Sequence, residues 1–262
     1  VDIFTFFSTR FDDFILIFAR TTAILAVAPI FGSNFIHMLT KAFLGFTLAV
    51  LFTGTLSPIA GRELLAETSL FLLILNEVAV GAAIGIIAHI MFEIVVFAGY
   101  ITDYQIGFGF INIVDPMSGQ SISIIAFFSN LLAMTLFLIL DFHHFLLAAL
   151  VESYDFLPVY SATVSDSTLT FLTNAFGSIF YVGFKVAAPM IAVMFIVDFS
   201  LGVLGKTVPQ LQILVVGFPV KISIGLTAFG LALHAWADHI IQILNGFRDH
   251  LFYFIQSMEV LP

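Results

Sequence analysis

The sequence predicts an all-α integral membrane protein of about six long, kinked hydrophobic helices arranged as hairpins. Three observations carry this reading. Apolar residues make up 61% of the 262-residue chain and charged residues 10%, against roughly 45–50% and about 25% in a soluble domain. Mean hydropathy is +1.14. The apolar residues also collect in blocks long enough to cross a bilayer, separated by connections rich in Gly, Pro and polar residues.

The blocks are 14–31, 42–60, 69–98, 122–150, 171–200 and 211–236. A bilayer-spanning helix needs roughly 20 apolar residues. The first two blocks are near that minimum, and the next three approach thirty, too long for an upright span. Charges lie inside them: Arg20, Glu77, Glu93, Asp141, Lys185, Asp198 and Lys221. Each costs at least ~2.5 kcal/mol at the centre of a lipid-facing helix, so these faces are expected to be buried in protein. For Lys185, Asp198, Lys206 and Lys221 the expected form is ion pairing between subunits. Pro189 and Pro219 offer kink sites in the last two blocks. "GAAIG", Gly81 to Gly85, has the small-xxx-small spacing that lets membrane helices approach closely.

Several classes of function are excluded or disfavoured. The chain has no cysteine, which removes disulfides and thiolate metal sites. Its formal charge of −9, with only 8 Lys and Arg, leaves no basic stripe for nucleic acid. "VDIFTFFSTRFDD" has no cationic leader segment, so no secretory signal is expected there. Lys and Arg are spread over odd and even connections alike, which gives no clean orientation. The stretch 151–170, free of Lys and Arg, points weakly outward, and six spans would place both termini outside. No P-loop, HExxH or nucleophile elbow is present. "DFHHF", Asp141 to Phe145, is the most enzyme-like spot, since Asp, His and His are metal-ligand and proton-shuttle types. Adjacent histidines on a helix point about 100° apart, however, and a further ligand would have to come from His89 or Glu93. Interfacial or hydrogen-bonding histidines are expected instead, with no metal and no cofactor. His89 and Glu93, at i,i+4, share one helix face and read as a structural pair or, with Glu77, as a proton relay.

"QIGFGFINIVDPMSGQS", Gln105 to Ser121, is apolar and lacks Lys and Arg, yet Gly107, Gly109, Gly119 and Pro116 interrupt helix. From the residues alone it is either a re-entrant structural loop or a gate, because non-helical backbone at membrane depth must be buried in protein or line a cavity.

Four blocks, in order, resemble the FliR family of flagellar type III export proteins, which has a homologous injectisome subunit. They are "ARTTAILAVAPIFGS" (Ala19–Ser33), "AGYITDYQIGFGFINIVDPMSGQS" (Ala98–Ser121), "FLILDFHHFLLAALVESYDFLPV" (Phe137–Val159) and "APMIAVMFIVDFSLGVLGKTVPQLQILVVGFPVKISIGL" (Ala188–Leu226). His37 stands where the family has proline, Asp198 and Gln212 where Asn is usual, and Lys206 where Arg is commoner. The resemblance implies a FliP-like part over 1–170 and a FliQ-like C-terminal hairpin over 171–262. It implies one copy in a helical ring with FliP and FliQ, FlhB on the cytoplasmic side, and unfolded flagellar proteins as cargo across the bacterial inner membrane. It further implies that the loop plugs the pore, through Ile106, Gly107, Phe108, Gly109, Phe110, Ile111, Ile113, Asp115, Pro116 and Met117. Lys206, Pro209 and Gln210 would meet FlhB. The competing reading is a secondary transporter that uses the intramembrane charges.

Overall fold

The computed structural model describes residues 3–32, 36–55, 69–109, 123–157, 166–208 and 213–258. Among them there are seven α-helices: α1 Ile3–Val27, α2 Met38–Thr55, α3 Leu70–Ile106, α4 Ile124–Ile139, α5 Phe142–Phe156, α6 Asp166–Thr207 and α7 Ile213–Ser257. The fourth apolar block is therefore two helices, broken at Leu140 and Asp141. Asp141 sits in the left-handed region, φ 57°, where no residue can continue a right-handed helix.

Among the described residues, four helices are long and apolar enough to cross a membrane: α2, α3, α6 and the Val216–Phe254 part of α7. Helices α4 and α5 together make a fifth if they are one broken span. Six were expected. With the broken pair counted as one span, the remaining difference is α1, where Arg10, Asp12, Asp13 and Arg20 are too many charges for a lipid-facing helix. α3 has 37 residues, α6 42 and α7 45. At ~1.5 Å per residue all three exceed the hydrocarbon thickness of ~30 Å. The helices run on through Pro189 and Pro219; in α1 the helical backbone is interrupted at Arg10, φ −119° and ψ 16°. Hydroxyls within the apolar helices donate to the carbonyl one turn back, as Thr53 does to Ala49 at 2.7 Å and Thr102 to Ala98 at 2.9 Å. Each of these hydroxyls is thereby satisfied within its own helix.

The chain forms two compact units. The first comprises Val1–Ile90, Leu140–Ala175 and Gly246–Pro262; the second comprises Met91–Ile139 and Phe176–Asn245. α3, α6 and α7 each contribute one part to each unit.

In the first unit α1 packs on α2 through Phe14 and Phe18, whose rings meet the edge of Phe46 at 5.5 and 6.4 Å. It packs on α3 through glycine. A Cβ on Gly81 would collide with the Arg20 carbonyl and lie 2.9 Å from Ala23 Cβ, and one on Gly85 would lie 2.8 Å from Val27 Cβ. The small-residue spacing thus sits where two backbones touch. Phe145 meets Phe247 at 5.7 Å, and Phe171 meets Phe254 at 5.3 Å, joining α5 and the start of α6 to the end of α7.

The second unit is built on Ala98, Ile106, Ile125, Val186, Ala187, Met190, Phe229 and Trp236. Gly99 lies against the Ala126 backbone, Gly183 against the Phe97 ring and Gly225 against Ile106. Large apolar side chains remain outside this core: Phe180, Tyr181, Phe184, Phe195, Ile196 and Phe199 are all more than half exposed on α6. Such a surface is not stable in water and calls for lipid or further protein.

Candidate functional site

The two stems of the glycine-punctuated loop lie in the second unit, and the sequence explains how each forms. α3 ends because Gly107 takes φ +102°, which costs a residue without a side chain little. Its N–H donates to the carbonyls of Asp103 and Tyr104, both at 3.2 Å, and the Phe108 N–H also donates to Asp103, at 3.2 Å. Two carbonyls of the last turn of α3 are therefore satisfied by the chain that leaves it. At the other stem Ser123 caps α4, its Oγ accepting the Ala126 N–H at 3.1 Å. Between the stems stands Asp103, 5% exposed. Its Oδ1 accepts the Ile125 N–H at 3.1 Å. A carboxylate is unfavourable at the end of its own helix and favourable at the start of the next, and here the second relation is the one realised by a hydrogen bond.

Both stems rest on the C-terminal hairpin of α6 and α7. Ile106 is fully buried, and its side chain fills the space left by Gly225 on α7. Phe108 packs on the same core. A Cβ on Gly107 would lie 3.6 Å from the Phe218 ring and 3.9 Å from Lys221 Cδ, and one on Gly109 would lie 3.6 Å from Tyr104 Cδ2. Lys221 Nζ lies 2.7 Å from Asp198 Oδ1 and 2.9 Å from Oδ2. These two charges were expected to pair between subunits; they pair within one chain, because antiparallel helices joined by a short connection bring residues 23 apart into register. Phe110, Ile111, Ile113, Asp115, Pro116 and Met117 lie outside the described residues.

The other charges fall into separate groups. In the first unit Arg20 is fully buried. Its Nε donates to Glu77 Oε2 at 2.6 Å, Nη1 to the Ser153 carbonyl and Oγ at 3.2 and 3.1 Å, and Nη2 to the Leu157 carbonyl at 3.0 Å. The Tyr154 ring covers it, with Cζ 4.0 Å from the centroid. Glu77 is therefore engaged by α1, while His89 is exposed and Glu93 half-buried further along α3. Lys185 is exposed on α6. Lys206 is exposed in the last turn of α6, where a cation suits the helix dipole; Pro209 and Gln210 lie outside the described residues. Asp141, His143 and His144 come together: the two imidazole rings are 4.1 Å apart, and one ligand atom from each of the three residues lies within 4.8 Å of the others. The sequence expectation placed adjacent histidines too far apart in direction. The two rings nevertheless approach each other, and Asp141 completes the Asp-His-His set that the sequence offered.

Asp103, Ser153 and Tyr154 were missed by sequence reasoning. For Asp103 a signal existed: an acid four residues before a helix-ending glycine is out of place for its own helix.

Long apolar helices, a buried cation satisfied by four oxygens, and the ends of α3 and α4 joined by one carboxylate define a polytopic helical membrane protein. The family model described as bacterial export proteins, family 1, matches residues 11–247. The chain is 32% identical over 217 residues to the flagellar biosynthetic protein FliR of Bacillus subtilis (strain 168), covering 82% of this chain and 83% of that one. It is 29% identical to FliR of Pectobacterium carotovorum subsp. carotovorum (90% and 86% covered) and 29% identical to FliR of Escherichia coli K12 (89% and 85% covered). The chain belongs to this family of bacterial export proteins, in its FliR branch, and is a membrane component of the flagellar export apparatus.

Proposed function

We propose that this chain is a non-enzymatic core subunit of the flagellar type III export gate in the inner membrane, forming with FliP and FliQ the pore for unfolded flagellar proteins. In this reading residues 105–121 are the pore plug. The observation that carries it is the Asp103 clasp. It ties together the two ends of an apolar, cation-free loop, which suits a segment that must seal a path yet return to one place after moving. An apolar constriction excludes water and with it ions. Ile106 and Phe108 root the plug in the hairpin core, and the residues beyond them, from Phe110 to Met117, supply the seal. The exposed aromatic face of α6 is available to FliP, FliQ and lipid, and Lys206 offers a cation to FlhB.

The test is deletion of residues 107–119, expressed with the FliP- and FliQ-like partners. The complex should still copurify, and cells carrying it should lose their ion barrier, read as membrane depolarisation. An assembled complex that holds ions as well as the unaltered one would overturn the plug.

A further inference from the structure

We propose that Asp141, His143 and His144 form a binding site for a divalent transition-metal ion of the zinc class, independent of the export reading. The three residues occupy one short turn, where α4 stops and α5 begins. One donor atom from each lies within 4.8 Å of the other two. Around a zinc ion with bonds of ~2.0–2.1 Å, tetrahedral ligand atoms are roughly 3.3 Å apart. The donors therefore need to close by an ångström or so, and two of the three side chains are free to do it. Asp141 and His144 have 71% of their side-chain surface exposed, and His144 Nδ1 lies 3.7 Å from Asp141 Oδ1, too far for a hydrogen bond.

Two further observations point to a ligand. His143 Nδ1 is buried and has no hydrogen-bond partner. A buried polar atom left so is unfavourable, and coordination through its lone pair would give it a partner. Asp141 precedes α5 in the place where an aspartate ordinarily caps a helix, yet its left-handed backbone leaves the carboxylate without a capping bond. The carboxylate is thereby available to the histidines rather than to the helix amides. The N-terminal dipole of α5 opposes a cation only weakly, and the Asp141 carboxylate beside it counters that effect. Two imidazole nitrogens and one carboxylate oxygen form a borderline donor set that suits zinc and its first-row neighbours better than calcium or magnesium. Three protein ligands leave a further position for water or a partner's side chain. A bound ion would fix the first turn of α5 against the residue that starts it.

The experiment is calorimetric titration of the chelator-stripped full chain with zinc chloride in mild detergent, with the melting temperature measured with and without zinc. About one ion per chain should bind saturably and raise the melting temperature. His144→Gln and Asp141→Asn, both at exposed positions, should keep the zinc-free melting temperature while lowering affinity at least ~10-fold. His143→Gln should lower it similarly. His234→Gln, at an exposed histidine 3.8 Å from Asp238, should leave binding unchanged. No saturable uptake, or uptake indifferent to the His143 and His144 variants, would overturn the site.

Discussion

Asp103 accepts the backbone N–H of Ile125 at 3.1 Å, so one buried carboxylate joins the last turn of α3 to the first turn of α4. Asp103→Ala would leave that amide without its acceptor, at ~1–3 kcal/mol. Asp103→Asn retains an oxygen in the same place. The alanine variant should assemble but leak ions and swim poorly, and the asparagine variant should lie close to the parent in both. Equal ion tightness in the alanine variant, measured by membrane potential, would remove Asp103 from any gating role.

The second relationship concerns stability rather than gating. Arg20 and Glu77 are both fully buried and 2.6 Å apart. Removing one partner strands a charge, with a cost of ~3–5 kcal/mol, whereas replacing both by apolar residues of similar size is often nearly neutral. Glu77→Leu alone should therefore abolish stable accumulation of the protein in membranes. Glu77→Leu combined with Arg20→Met should recover much of it, read by immunoblot and by melting in detergent. A double variant no better than the single one would show that the Arg20 bonds to Ser153 and Leu157 matter more than the ion pair.

Glycines in these helices separate into two kinds with opposite expected signs. A Cβ at Gly81 meets the Arg20 carbonyl and Ala23, whereas one at Gly230 meets nothing within 4 Å. Gly230→Ala should raise stability by ~0.5–1 kcal/mol, the ordinary gain of alanine over glycine inside a helix. Gly81→Ala should lower it by more than that, because α1 and α3 must separate. Thermal melting of the two variants side by side checks the pair, and a fall in both would mean that the Gly230 face is covered in the assembly.

These contrasts show where sequence reasoning reached and where it stopped. Hydropathy located the helical blocks because lipid-facing and core-facing positions are both apolar. It ended the last block at 236, whereas α7 continues to Ser257. Beyond Trp236 the buried residues described are Ile240, Leu244, Phe247, Leu251, Phe254 and Met258, three or four apart. Asp238, His239, Asp249 and His250 lie between them, so a window average falls while the helical stripe persists. The break at Asp141 carries neither Gly nor Pro and so left no signal. Arg20 was legible as a charge in an apolar block, but its acceptors lie 57 to 137 residues away, a distance over which pattern carries no information. Gly107 was legible as a helix stop; that Asp103 reaches across to α4 was not, because it depends on where two stems meet.

The two glycines of the GFG stretch test whether backbone conformation or space matters at the root of the loop. Gly107 has φ +102°, while a Cβ on Gly109 would meet only Tyr104 at 3.6 Å, an ordinary contact. A side chain at φ > 0 costs ~1–3 kcal/mol unless the backbone shifts, and at Gly107 a shift would misdirect the N–H groups that close α3 and move Phe108 off its core. Gly107→Ala should therefore depolarise cells or impair swimming far more than Gly109→Ala, at matched protein levels. If the two variants behave alike, the positive φ is not what positions the loop. The Asp103 clasp and the buried Ile106 side chain would then be sufficient to hold it.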